Sequence, residues 1–109
     1  MFSIKAMQFR HREWRQQNFP DTEPWEALAG LMEEVGELAH AHLKGKWGIR
    51  GMKGKAIVTK KRDAVGDIFI FLMSYCNDND LDLESCITDA WAEVQARDWQ
   101  ANPQTGGKK

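Results

Sequence analysis

Three glutamates in one short stretch, Glu33-Glu34-Val35-Gly36-Glu37, followed about thirty residues later by Asp63 and Asp67, are the residues of this chain best suited to chemistry. At about 100° per residue a helix gathers Glu33, Glu34 and Glu37 within an arc of about 100°. Carboxylates on one face repel, but on an exposed helix the penalty is a few tenths of a kcal/mol per pair, which water and salt tolerate. The second segment is less forgiving. Residues 64–76 read AVGDIFIFLMSYC, apolar around nearly the whole circumference, the pattern of a helix buried on most sides, with Asp67 as its only charge. A buried carboxylate must be protonated, paired or given a metal. The acidic triplet meets that need only with a cation between the two helices, and hard divalent ions such as Mg²⁺ take oxygen ligands of this kind.

Four helices are expected to position these groups. Ser3 caps a first helix running to about Phe19, with Ile4, Met7, His11 and Trp14 at helical spacing and Pro20 ending it. His11 and Trp14 read as core residues, since His11 lacks a ligand partner one turn on. Pro20-Asp21-Thr22-Glu23-Pro24 is turn chemistry, with Asp21 or Thr22 as the cap of a second helix from about Pro24 to Leu43. Its apolar stripe of Leu28, Leu31, Met32, Val35, Leu38, Ala39 and Leu43 lies roughly opposite the glutamates. A solvated acidic face would look similar, yet Gly30 and Ala41 on the acidic side let another helix or a ligand come close. Gly45 to Gly54 reads as a glycine-rich loop, and a third helix starts near Thr59 to Asp63 and ends near Tyr75 or Asn77. Asp63 and Asp67 share one face of it, one turn apart. Asn77-Asp78-Asn79-Asp80 lacks the glycine and closing glutamate of an EF-hand and reads as a loop, with Asp80 or Asp82 capping a fourth helix from about Leu83 to Gln100. That helix carries Ile87, Ala90, Trp91 and Val94 on one side. The reading is all-α: one domain over residues 1–103, with 104–109 a flexible tail.

Composition narrows the function classes. The chain has 109 residues and a formal net charge of −1, so nothing global points to nucleic acid or a membrane. That balance hides an asymmetry. Lys44, Lys46, Arg50, Lys53, Lys55, Lys60, Lys61 and Arg62 lie between Glu37 and Asp63, where there is no acid at all. A basic, glycine-rich loop beside an acidic metal site suits polyphosphate, because ammonium and guanidinium groups neutralise oxygens that a metal leaves unpaired. No Walker-type loop is present. Cys76 and Cys86, without metal-ligand spacing, read as reduced core residues of a cytoplasmic protein, and neither a signal peptide nor a membrane span is visible. The apolar third helix needs cover on several sides, which four helices of one short chain do not supply, so an oligomer is expected.

EEVGEL and DAVGDIFIFL together resemble the MazG-like nucleotide pyrophosphohydrolases of the all-α NTP pyrophosphatase superfamily, marked by an E-E-x-x-E helix followed by an E-x-x-D helix. The first half is intact in Glu33, Glu34 and Glu37. The second departs: Ala64 stands at the motif's glutamate, and Asp63, one residue earlier, makes D-x-x-x-D with Asp67. GIRG at 48–51 and Arg97-Asp98-Trp99 followed by Asn102-Pro103 look like a small single-domain branch of the family. The resemblance implies a four-helix bundle completed by oligomerisation into a homodimer or homotetramer. It also implies Mg²⁺, with Mn²⁺ as a substitute, bound by carboxylates, and hydrolysis of a nucleoside triphosphate to its monophosphate and pyrophosphate. Carried onto this chain, Glu37 and Asp67 are metal ligands, Glu33 a further ligand, and Glu34 a ligand or the base for the attacking water; the roles of Glu33 and Glu34 exchange readily. Asp63 serves the same metal site. Arg50 is the first choice for phosphate, with Lys44, Lys46, Lys53 and Arg97 behind it. Trp14, Phe19 and Trp47 are the aromatic candidates for stacking on a base. The rival reading is a non-enzymatic helical module gripping a nucleotide or nucleic acid with the basic loop 44–62. A third is a family member that keeps binding and has lost catalysis through the Ala64 departure.

Overall fold

Ser3 starts the first helix: its hydroxyl accepts the N–H of Ala6 at 3.0 Å, satisfying a donor that the first turn leaves free. In the computed structural model, which describes residues 2–48 and 54–107, that helix is α1 (Ile4–Asn18). It is followed by α2 (Pro24–Trp47), α3 (Lys55–Asp78) and α4 (Leu83–Gln95), with no strand among the described residues. No described helix is long and apolar enough to cross a membrane.

α2 and α3 form the central pair, and both are longer than the sequence suggests. Thr22 does not cap α2, because its hydroxyl donates to the Phe19 carbonyl at 2.9 Å and accepts from the Arg15 guanidinium at 2.9 Å. Glu23 takes the cap position, and the Glu26 carboxylate accepts its N–H. At the other end α2 runs past Leu43, straight through Gly45, to Trp47. A Cβ on Gly45 would stand 3.0 Å from Ile57 of α3, so the glycine is there for close packing. The true stop is Gly48, left-handed at φ 65°, whose N–H bonds to the Lys44 carbonyl. α3 likewise begins at Lys55, because Ile57, buried against α2, extends it by a turn. The expected loop thus shrinks at both ends, and residues 49–53, with most of the GIRG motif, lie outside the described residues.

Gly30 lies against Phe71 and Gly45 against Ile57, so α2 and α3 run antiparallel. The face of α2 that meets α3 carries small residues, with Ala27, Gly30 and Ala41 buried. Its apolar stripe points the other way. Leu28, Met32, Val35 and Leu43 are all exposed. Within one chain α3 is likewise covered on few sides: Val65, Phe69 and Ile70 are exposed, and so is Asp67. The physical reason is that α3 has one full-length neighbour, while α1 and α4 touch it near its C-terminal end.

Polar bonds fasten that end. Gln8 of α1 donates to the Asn77 side chain at 2.9 Å and to the Leu81 carbonyl at 2.8 Å, and its oxygen accepts the Leu83 N–H at 2.9 Å. Arg15 donates to Asp78 and, at 3.2 Å, to the Ser74 carbonyl. Beside them sits a small core of Met73, Cys76 and Leu83, with Ile4, Met7 and Leu72 packed on it. His11 is buried there as expected, but Trp14 is 51% exposed. Cys76 is buried and burial pushes its thiol up, whereas Cys86 is exposed, against the expectation of two core thiols; both are free.

Asp82 stands at the N-cap of α4 without bonding its backbone; the helix is anchored by Leu83 and then leaves the core, so that Ile87, Trp91 and Val94 are exposed. It stops at Gln95 rather than Gln100. Asp98 is the cause, since its carboxylate accepts the N–H groups of Gln100 and Ala101 at 3.1 and 3.0 Å and offers the backbone a turn in place of a helix. The Asp98 N–H bonds to the Gly106 carbonyl at 2.8 Å, so the ordered turn runs past Pro103 to Gly107.

Gly30→Ala would drive a methyl into the Phe71 ring and should cost about 1–3 kcal/mol in urea unfolding. Gly66→Ala, with open space around it, should instead stabilise by about 0.5–1 kcal/mol. Burial, and then the Arg15 charge, hold His11 below its ordinary range, against the pull of Asp78. The unfolded chain therefore takes up a proton that the folded chain refuses, and stability should fall as pH drops below about 6.5, the ordinary histidine value. Unfolding curves of wild type and His11→Gln between pH 8 and 5 should diverge in that window, with the variant flatter.

Candidate metal and nucleotide site

The close contacts Gly30–Phe71 and Gly45–Ile57 pin α2 to α3 at two levels, and a cavity of about 530 Å³ lies along the stretch between them. Its floor is small: Ala41 and Ala64, both buried, leave the space open. Charged side chains make the rim. Glu34, Glu37, His40 and Lys44 come from α2, at spacings of three and four residues that keep one helix face. Lys60, Asp63 and Asp67 come from α3 by the same rule. Four carboxylates and two ammonium groups thus surround one cavity.

Glu34 carries the electrostatic signature of the cluster. Half-buried, it is held above the ordinary carboxylate range first by burial, then by the charges of Glu37 and Asp67, by a hydrogen bond with Glu37, and by Glu33. Repulsion reaching Glu34 from Asp67 means that the acids of the two helices act on each other across the cavity.

The expected site residues divide accordingly. Glu34, Glu37, Asp63 and Asp67 are brought together, with Lys44 beside them. Glu33 is exposed and does not line the cavity, although its charge is felt at Glu34. Lys46 lies over the Trp47 ring at 5.8 Å, and Arg97 over the Trp99 ring at 5.9 Å; neither lines the cavity. Arg50 and Lys53 lie outside the described residues. Trp47 is exposed at the end of α2. Trp14 lines a second cavity of about 310 Å³, mostly apolar, with His11, Phe19, Ala27, Ile70 and Phe71. Ala27 precedes Glu34 on α2 by two turns, with the Gly30–Phe71 contact between them, so the apolar cavity lies on the far side of that contact from the acidic one.

Two rim residues escaped the reading of the sequence as a site. Lys60 stands seven residues before Asp67, and His40 three after Glu37, both on the acidic faces; helical spacing alone would have found them.

Among the described residues no three carboxylates, imidazoles or thiols stand close enough together to hold an ion in their present rotamers. The donor set nevertheless suits a hard divalent cation: four carboxylates, of which Glu37 and Asp67 are both felt at Glu34, gain from a positive charge placed between them. Comparison with known protein families, with curated proteins and with solved structures finds no match.

Removing one charge from this cluster should stabilise the metal-free chain. Because the folded state raises the Glu34 pKa, stability is lost as pH rises through that value. Glu34→Gln should therefore raise the melting temperature at pH 7 by about 2 °C, a shift expected from relief of a few tenths of a kcal/mol. Added Mg²⁺ should raise that of wild type more than that of the variant.

Proposed function

We propose that this chain is a MazG-like nucleoside triphosphate pyrophosphohydrolase, cleaving a (deoxy)nucleoside triphosphate to its monophosphate and pyrophosphate in nucleotide-pool house-cleaning. The observation that carries the reading is the meeting of Glu34 and Glu37 on α2 with Asp63 and Asp67 on α3 around one cavity that also presents Lys44 and Lys60. Glu37 and Asp67 would hold Mg²⁺, with Asp63 and Glu34 completing the set and Glu33 entering by rotation of its side chain. Bound there, the ion would offset charge on the phosphates and favour attack by water.

The chain's own residues account for the rest. Lys44 and Lys60, on opposite walls, bind phosphate oxygens and hold the chain of phosphates along the cavity. Glu34 takes a proton from the water that attacks the α-phosphorus; the bond to the bridging oxygen breaks and pyrophosphate leaves. The apolar cavity beyond the Gly30–Phe71 contact would receive the base, with Trp14 offering a ring for stacking. Ala64, buried in the cavity floor, replaces the family's glutamate, and Asp63 supplies a carboxylate from the neighbouring position instead. A homodimer or homotetramer in the cytoplasm belongs to the same reading.

The test is hydrolysis of a panel of NTPs and dNTPs with Mg²⁺, with and without EDTA, separating monophosphate plus pyrophosphate from diphosphate plus phosphate. Monophosphate and pyrophosphate, lost with EDTA, are expected. Asp67→Asn should reduce kcat by at least about 100-fold, the order of loss when one charge-stabilising group is removed. Its fold, followed by circular dichroism, should be unchanged, because an exposed neutral isostere also relieves repulsion. Lys60→Ala should raise KM more than it lowers kcat. Nucleotide binding without turnover would favour the reading in which Ala64 has cost the chain its catalysis.

A further inference from the structure

Two polar side chains line the apolar cavity although they are almost wholly buried: His11 and Ser74 are 9 and 8% exposed. How the imidazole presents itself there is decided outside the cavity, by a chain of amides. The Gln8 oxygen accepts the Leu83 N–H at 2.9 Å, so the Gln8 nitrogen is the atom that donates to the Asn77 oxygen, also at 2.9 Å. The Asn77 oxygen accepts from Arg12 as well, and the Asn77 nitrogen donates to the Gln8 carbonyl at 3.2 Å. That same nitrogen meets His11, 3.4 Å from Nδ1. Facing a donor, Nδ1 is the acceptor of the ring, and the hydrogen of the neutral imidazole stands on Nε2. Burial, and then the Arg15 charge, favour that neutral form at pH 7. Among the described residues neither Nε2 nor the Ser74 hydroxyl has a partner, and neither is sealed in as the unpartnered oxygens of Asp78 and Asp82 are. A fixed N–H donor thus opens into an apolar space, where meeting it is selective and leaving it unmet is costly.

We infer that this cavity selects bases carrying a carbonyl oxygen where their counterparts carry an amino group, uracil or thymine over cytosine and hypoxanthine or guanine over adenine, with His11 discriminating and Asn77 positioning it. The inference rests on the nucleotide reading given above and deepens it. A carbonyl oxygen accepts the Nε2–H, whereas an amino group turns a second donor toward it. Ser74 does not discriminate, because its hydroxyl rotates to donate or accept. Glu26 is an exposed carboxylate at the mouth and already accepts the Glu23 N–H. The reach is suitable: Ser74 follows Asp67 by two turns on the same face of α3, about 10 Å along the axis, within the span of one nucleotide. The Trp14 ring, 5.9 Å from that of His11 and 5.7 Å from that of Phe19, makes with them an aromatic wall for the base.

The test compares dUTP with dCTP and ITP with ATP, pairs that differ in this group and the ring nitrogen beside it, in wild type and His11→Gln with Mg²⁺. In wild type kcat/KM should favour the carbonyl member of each pair by about tenfold to a hundredfold, the effect of one buried donor left unpaired. A glutamine amide reaches the same place and turns either its oxygen or its nitrogen to the base, so in His11→Gln both ratios should fall towards one. Proton–nitrogen correlation spectra of the imidazole rings at about pH 7.5, with His11 identified by its loss in His11→Gln, should place its hydrogen on Nε2. Asn77→Asp, which gives Nδ1 an acceptor to face, should move that hydrogen to Nδ1 and reverse the preference. Shifts of the same ring signals with dUMP and with dCMP, without metal, read the preference in the absence of turnover. Turnover with no preference in either pair, a preference that survives His11→Gln, or a wild-type hydrogen on Nδ1 overturns the inference and leaves the reaction standing. A hydrogen that stays on Nε2 in Asn77→Asp overturns the role of Asn77. Tighter binding of dUMP than of dCMP with no triphosphate turned over upholds the inference and overturns the reaction; binding of neither, with no turnover, overturns both.

Discussion

Everything in this fold depends on how closely α2 and α3 approach. Gly30 admits the Phe71 ring and Gly45 admits Ile57, and at both places a Cβ would meet the neighbouring side chain at 3.0 Å or less. Between these contacts Ala41 and Ala64 keep the helices near without filling the space. Small residues thus create both the tight pair and the cavity. The same choice decides what stays outside, because a helix that spends its small face on one neighbour must leave its large apolar side chains for another.

The charged rim follows from that geometry at an electrostatic cost. Glu34 is pushed above its usual range because burial and the neighbouring carboxylates act together. Natural sequences carry such local conflicts chiefly where function requires them. A cation placed between the carboxylates would relieve that conflict.

A second constraint holds the other end of the molecule. The Arg15–Asp78 ion pair has both side chains largely buried, at 13 and 15% exposure, and Gln8 joins α1 to the start of α4. Buried pairs of this kind add little net stability over apolar packing, but they leave few alternative arrangements, since each polar group must find its partner. They fix α1 over the end of α3, and with it the apolar cavity that Trp14 lines.

Much of this was legible from residue order. Four helices, the Ser3 cap, and the sharing of one face by Glu34 with Glu37 and by Asp63 with Asp67 all follow from local spacing, since 3.6 residues per turn decides which side chains share a face. Gly30 and Ala41 correctly marked the face of α2 that another helix approaches. Local pattern misled where tertiary contact overrode it: Gly45 sits inside α2 because Ile57 needs the space, and α4 ends early because Asp98 binds the backbone beyond it. Asp67 looked buried because its neighbours are apolar, yet apolar neighbours are buried only if something covers them, and within one chain nothing covers Val65 or Phe69. The sequence by itself determined the helices and the chemistry of their faces. Only the tertiary structure decided which faces meet, because a helix with two usable faces does not encode which of them a single partner will take.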